Sequence, residues 1–303
     1  MARKKGRSAS ESAESRALVR AAFELARSLN VSKLLVQTDE LRDIALVDLL
    51  RESEQLIWLI RGSIELPLAG RSSDVILHMP ETRLTQMSQL KIALLLLVMN
   101  KQVDLDDSVI CLSGVAGSER LDALLIANAR RSFPWLRERN VEDIRSLFAP
   151  REVAQLIDIA LRLAAEGRED KPVGTIFVLG DEEQLEPYLR QLVLNPLKGH
   201  PRRARSIHRP DFFETIREFA GLDGCFVVNA RGVVQSAGTY LDVPTKRAKL
   251  RSGLGARHAA ALSVTAVTGA IAIAISASSG TVTVFHEGRP ILELERPALP
   301  STA

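Results

Sequence analysis

Cysteine, tyrosine and long apolar runs are scarce in this chain of 303 residues. Its two cysteines, Cys111 and Cys225, both lie in apolar surroundings. Two are too few for a disulfide framework or a thiolate metal site, and they suit a reducing cytoplasm. The longest apolar run, residues 92–99, falls far short of the roughly 20 residues a spanning helix needs. A buried helix is expected there, and no membrane as a partner. Charge of one sign is also missing: 40 basic side chains against 37 acidic leave a net +3, so nucleic acid is not an expected partner. The basic residues of the N-terminus have no apolar segment behind them, which excludes a secretory signal. There is no GxxxxGK[ST] loop and no kinase signature, so the common ATPase routes have no support.

What is present is the composition of a soluble globular protein, 46% hydrophobic and 25% charged, with length enough for two ordinary domains. Residues 1–15 hold almost nothing apolar and read as a disordered basic tail around Arg3-Lys4-Lys5. From residue 16 the helical period Leu18, Ala21, Ala22, Leu25, Ala26, Leu29 appears. Strands are expected over 33–37, 55–60, 74–78 and 108–112, and helices over 41–51, 85–100 and 118–131. That alternation predicts a parallel sheet covered on both faces, an α/β domain spanning 16–149. Arg120, Arg130 and Arg131 read as solvated helix-surface charges, with an anionic effector the less favoured role. A boundary near Pro150 opens a second α/β domain, 150–297, and leaves 298–303 as a tail. A helix over 151–166 ends at Gly167, a strand covers 175–179, and helices are expected over 183–193 and 211–221.

Residues 222–284 carry the chemistry. Asp223, between a helix and the apolar run Phe226-Val227-Val228, is followed by Gly224, which lets backbone approach a ligand closely. Ala237-Gly238-Thr239-Tyr240-Leu241 offers apolar surface for a flat base, with Leu222 opposite, and Tyr240 is one of only two tyrosines. Gly253-Leu254-Gly255-Ala256-Arg257-His258 opens a helix of small residues. Free N–H groups at a helix start favour phosphate, and Arg257 adds planar, bidentate charge. Ser276-Ala277-Ser278-Ser279-Gly280 is a hydroxyl-rich turn between two apolar strands. Together these groups suit a nucleoside triphosphate and its metal.

The same residues resemble the diadenylate cyclase domain, whose two signatures, DGA and RHR, read here Asp223-Gly224-Cys225 and Arg257-His258-Ala259. Residues 172–200 are similar to the start of that domain in the branch with a pyruvate-kinase-like partner domain. Residues 17–61 resemble the C-terminal domain of pyruvate kinase in layout, with Gln37-Thr38-Asp39-Glu40 as the threonine-ended loop. The resemblance implies a cyclase domain with a mixed sheet flanked by helices, joining two ATP molecules into cyclic di-AMP across a homodimer. It implies Asp223, Arg257 and His258 as catalytic, with Asp223 on a divalent metal, Mn or Mg. It implies Leu222, Gly224, Cys225, Gly238, Tyr240, Leu241, Gly255, Ala256, Ser276 and Ser278 as ATP-binding, Cys225 through its backbone. Three departures matter: Ala256 replaces a common threonine, Ala259 the second arginine, and Ser278 an acidic residue found in many members. They leave open a sensor that binds ATP or cyclic dinucleotide without turnover. A third reading is a DNA-associated protein using the basic tail.

Overall fold

The computed structural model describes residues 2–38, 41, 44–52, 55–61, 74–82, 84–115, 118, 120–133, 135, 150–169, 171–243 and 255–297. They belong to two compact units, Met1–Arg145 and Ser146–Ala303, each with its own sheet. No helix among the described residues is long and apolar enough to cross a membrane.

In the first unit, helix α1 (Ala2–Leu29) leads to strand β1 (Lys33–Gln37), helix α2 (Ile44–Leu50) and strand β2 (Gln55–Arg61). Strand β3 (Val75–Met79), helix α3 (Gln86–Met99), strands β4 (Ser108–Ser113) and β5 (Ala123–Asn128) and the short helix α4 (Ala129–Ser132) follow. The strand order is β3-β2-β1-β4-β5, with the first four parallel. Parallel strands covered on both sides need unbroken apolar runs, which Leu34-Leu35-Val36 and Leu56-Ile57-Trp58-Leu59-Ile60 supply. On one face Val36, Trp58 and Leu112 pack with Val19 and Ala22 of α1 and Val47 and Leu50 of α2. The 92–99 run is a buried helix as expected, started by Thr85, whose hydroxyl accepts the Ser88 N–H at 3.3 Å.

Two expectations are corrected in this unit. Residues 118–131 do not form a helix. β5 runs antiparallel to β4 over six residue pairs, and α4 starts only after Asn128 caps the Arg131 N–H. Alanine and leucine at helical spacing favour a helix, but a complete backbone ladder outweighs that propensity. The expected tail is also helical from Ala2 onward, and Ser15 is buried. Its hydroxyl donates to Leu121 O at 3.0 Å and accepts the Leu121 N–H at 3.1 Å, tying it to a distant loop. Arg120 pairs with Glu14 and Asp122, and Arg130 makes a bidentate pair with Asp106. Asp39 and Glu40 of the expected loop lie outside the described residues, while Thr38 donates to Leu59 O at 2.9 Å.

The second unit runs helix α5 (Pro150–Glu166), strand β6 (Ile176–Leu179), short helix α6 (Glu182–Leu185), strand β7 (Leu189–Gln191), helix α7 (Phe212–Phe219), strands β8 (Cys225–Val228) and β9 (Val234–Leu241). Helix α8 (Ala256–Val267) and strands β10 (Ile271–Ile275), β11 (Val282–His286) and β12 (Arg289–Leu294) complete it. The order is β12-β11-β10-β6-β8-β9-β7; β6 and β8 are parallel and every other pair antiparallel. This is the expected mixed sheet. On one face Ala272 and Ala274 of β10, Val178 of β6 and Cys225 of β8 meet Ala261, Leu262 and Val264 of α8. Elsewhere in the sheet core, Phe177 and Phe226 stack at 5.1 Å, and Arg162 of α5 lies over the Phe213 ring of α7 at 3.7 Å. The helix expected over 183–193 is corrected: it stops at Leu185, turns through Glu186–Tyr188, and continues as edge strand β7. Pro187 in the turn's first positions and pairing of β7 with β9 account for the change.

Candidate active site

Asp223 stands at the mouth of β8 because the turn before the strand is pressed against β9. Gly224 has φ +114°, and a Cβ there would sit 2.6 Å from Thr239 O, so only glycine fits. The turn leaves the Asp223 side chain 92% exposed, with Oδ1 3.6 Å from a guanidinium nitrogen of Arg257. Two signatures that are 34 positions apart in sequence thus converge at the N-terminal end of β8, an interior strand of the sheet. Arg257 lies in the first turn of α8, whose N-cap is Gly255 and which has no side-chain cap. The leading N–H groups of α8 are therefore left to water or to a ligand.

The same helix start opens a cleft of about 780 Å³ lined by Gly255, Ala256, Arg257 and His258 on one side and by Ser276 and Ser278 on the other. The serine turn is held by its own hydroxyls: Ser276 Oγ lies 3.2 Å from Ser278 Oγ and accepts the Ser279 N–H at 3.3 Å. His258 sets the edge of its ring against Phe285 at 5.7 Å. Burial pushes its pKa below the usual histidine range, with Glu293 pulling the other way. Neutral imidazole is thereby favoured beside the cleft. Arg289 also lines the cleft. Nothing in the sequence singles it out, because Arg289-Pro290 reads as a terminator and not as the opening of a strand.

The remaining site residues divide. Gly238 has φ +65°, and a Cβ on it would meet Val193 Cγ2 at 3.0 Å and Leu222 Cδ1 at 3.3 Å. Leu222 and Gly238 therefore adjoin as expected, and Val193 is a third member of that wall that the sequence reading had placed on a helix. Tyr240 is 52% exposed, whereas Leu241 is buried in the core beneath α8. The two point apart, and the expectation that both face a base is corrected for Leu241, since neighbours along a strand alternate faces. Cys225 is fully buried and its thiol is pushed up to about 12 by burial, so only its backbone faces outward chemistry. Gly253 and Leu254 lie outside the described residues. A second cleft, about 770 Å³ and lined by Asp181, Arg202 and Arg231 among others, holds none of the expected site residues.

The site is thus a carboxylate at a glycine turn and an arginine at an open helix start, carried by a mixed α/β sheet. A protein-family model described as DAC, DisA bacterial checkpoint controller nucleotide-binding, matches residues 162–290. A diadenylate cyclase of Methanocaldococcus jannaschii is 34% identical over 176 residues, 58% of this chain and 56% of that protein. A diadenylate cyclase of Haloferax volcanii is 32% identical over 203 residues, 64% of this chain and 70% of that protein. The chain belongs to the diadenylate cyclase family. It spans little more than half the length of the Methanocaldococcus relative. Among solved structures, a pyruvate kinase from Cryptosporidium parvum aligns with 37% of this chain and 22% of its own at 17% identity and a TM-score of 0.29.

Proposed function

We propose that the second unit condenses two ATP molecules into cyclic di-AMP with release of two pyrophosphates. The observation that carries this reading is the approach of Asp223 to Arg257 at the open start of α8. In each half-reaction a ribose 3′-oxygen forms a bond to the α-phosphorus of the other ATP. The bond from that phosphorus to pyrophosphate breaks, and the hydroxyl proton passes to solvent or to a nearby base. Arg257 and the leading N–H groups of α8 bind and orient the triphosphate, with Ser276 and Ser278 across the cleft. Neutral His258 donates one N–H without adding charge. Leu222 and Gly238 present apolar surface to the adenine, and Gly224 and Cys225 offer backbone.

Asp223 is the residue to hold a divalent cation, Mn or Mg. Among the described residues no three acidic, histidine or cysteine side chains gather as a cage. One exposed carboxylate completed by substrate phosphates and water fits the way Mg²⁺ is usually held. Such an ion, when bound, lowers the cost of ionising the attacking hydroxyl and offsets phosphate charge.

Each attacking oxygen needs the α-phosphate of a different ATP, and the chain carries one Asp223–Arg257 set. Two copies meeting about a two-fold axis are the simplest competent assembly. Purified protein given ATP and Mn²⁺ should yield cyclic di-AMP by mass spectrometry, with specific activity falling on dilution below the association range. Bound ATP without product would establish the sensor reading instead. Constant specific activity where light scattering finds only monomer would overturn the two-copy mechanism.

A further inference from the structure

The second unit holds a cleft that the cyclase reading leaves unused. Asp223 stands before the first residue of β8, whereas this cleft lies where β6 and β8 end, lined by Gly180 and Asn229. The Gly180 N–H donates to Val228 O at 3.1 Å, carrying the parallel ladder up to the rim. The whole of β8, Cys225–Val228, separates the cleft from Asp223, about 13 Å of extended chain. Open α/β sheets hold ligands outside the carboxyl ends of their parallel strands. The volume, about 770 Å³, nearly equals that of the cleft beside Arg257, and it falls in the range of small-molecule sites.

Charges of both signs line this cleft and do not meet. Asp181, Glu182 and Glu183 come from the start of α6, Arg202 from the helical turn Arg202–Arg205, and Arg231 from the β8–β9 hairpin. Arg168, Arg190, Arg209 and Arg217 of the same unit all form ion pairs. Among the described residues the side chains of Arg202 and Arg231 have no hydrogen-bond or ion-pair partner. Both are nevertheless carried on anchored backbone. Asn229 Oδ1 accepts the Arg231 and Val233 N–H groups, each at 3.0 Å, which fixes the hairpin. Arg205 donates to His200 O at 3.0 Å and to Val234 O at 2.6 Å, which fixes the turn that carries Arg202.

This lining selects a ligand by charge. Two guanidiniums from separate segments suit a phosphate, whose terminal oxygens can meet two forks, better than a carboxylate, which one fork satisfies. Ionised carboxylates only accept hydrogen bonds, so the acidic wall calls for hydroxyl donors. Three carboxylates against two guanidiniums also make the lining net negative, which disfavours the several charges of a nucleoside triphosphate. We propose that the cleft at the ends of β6 and β8 binds a small phosphorylated polyol, a sugar phosphate. Its phosphate lies on Arg202 and Arg231, and its hydroxyls lie on the wall of Asp181 and Glu183. This is a second ligand site, separate from the one at Asp223 and Arg257, and it stands whether or not the unit makes cyclic di-AMP.

The test is calorimetry of the full chain with ribose 5-phosphate and glucose 6-phosphate. At least one should bind at millimolar concentration, and free ribose and glucose should not. Arg231→Gln should weaken that binding by at least about tenfold, the size of one lost charge-assisted contact, and leave ATP binding as it was. Arg231 is exposed, so thermal melting should not change. Glu183→Ala should weaken the sugar phosphate but not inorganic phosphate, and Arg257→Ala should affect neither. A wild-type chain that takes up neither sugar phosphate overturns the proposal. So does binding that Arg257→Ala removes and Arg231→Gln spares, which assigns the ligand to the other cleft. Inorganic phosphate binding as tightly as both sugar phosphates would leave an anion site with no use for the sugar, and glutamate displacing them would make the ligand a carboxylate. Either result overturns the ligand class.

Discussion

The two sheets are filled with side chains of different size, and that difference separates scaffold from site. In the first unit β1 and β2 bring leucine, valine, isoleucine and tryptophan to both faces, and α3 is buried through Ile92–Met99. In the second unit β10 alternates Ile-Ala-Ile-Ala-Ile, and its two alanines face α8, itself small along Ala259-Ala260-Ala261. Bulk on both faces holds helices and strands at ordinary spacing. Alanine on the facing side lets α8 settle close to the sheet, which carries the first turn of α8, with Arg257, to the mouth of β8 where Asp223 stands. Packing volume thus acts as a positioning device for a cation.

The largest effect should come from a residue that packs against almost nothing. Asp223→Asn is expected to lower turnover by about 10²–10⁴-fold, the range in which a positioned acid or base acts, with melting unchanged because the side chain is 92% exposed. Normal turnover in the folded variant would remove Asp223 from the chemistry. Leu97→Ala tests the other side of the comparison. Leu97 is fully buried in α3, and its truncation should cost about 2–5 kcal/mol of stability while ATP affinity of the still-folded protein stays as it was. A matching loss of affinity would mean the two units do not divide scaffold from site.

Arg257→Ala should weaken ATP binding by about 1.5–3 kcal/mol, the worth of a charge-assisted contact, and leave adenosine binding nearly untouched. Equal losses for the two ligands, measured by calorimetry, would give Arg257 a structural role. Ala274→Leu sharpens the packing argument. Inserting bulk between β10 and α8 should cost about 1–3 kcal/mol of stability and reduce ATP affinity although residue 274 lies outside the cleft. Unchanged affinity would show that alanine at this position does not set the height of α8.

The smallest effect concerns pH. Burial lowers the His258 pKa, so the folded protein favours neutral imidazole. Above the free histidine range, near 6.5, folded and unfolded chains are both neutral and no penalty exists. As pH falls through that range the unfolded chain takes up a proton first, and stability declines until folded His258 is protonated too. His258→Gln should therefore flatten the loss of melting temperature on acidification. A wild-type and variant difference that does not change with pH would count against this origin.

Much of this division could be read in the chain before any coordinates. β1, β2 and α5 follow from runs and periods that no competing signal disturbs. The misread segments, 118–131 and 183–193, share a physical cause. Each carries leucine at helical spacing, yet each pairs with a strand outside its own segment, Val109 with Ala127 and Leu189 with Leu241. Local pattern holds no information on that partner. β12 was passed over for a similar reason: Arg289-Pro290 looks like a terminator, and the strand forms only because β11 lies beside it, through a bulge at Val284/Phe285. The proximity of Asp223 and Arg257 came through family likeness, since nothing in a 34-residue separation fixes a 3.6 Å approach. Val193 was lost with the misread helix, and with it the third side of the Leu222–Gly238 wall.

Strand β9 carries a shift of reading frame. Cys225 lies opposite Thr239 and Val227 opposite Ser236, so Ala237 and Gly238 together face the single Phe226. In a strand of strict alternation Ser236 and Thr239 would point to opposite sides, yet their hydroxyls meet at 2.7 Å. A second shift lies beside the first, since Val228 is opposite Val234, so the two slips cancel and only the stretch at Ser236 stands out of frame. The glycine is punctuation: it closes a short parenthesis in β9 opened at Gln235, beyond which the strand returns to its first frame.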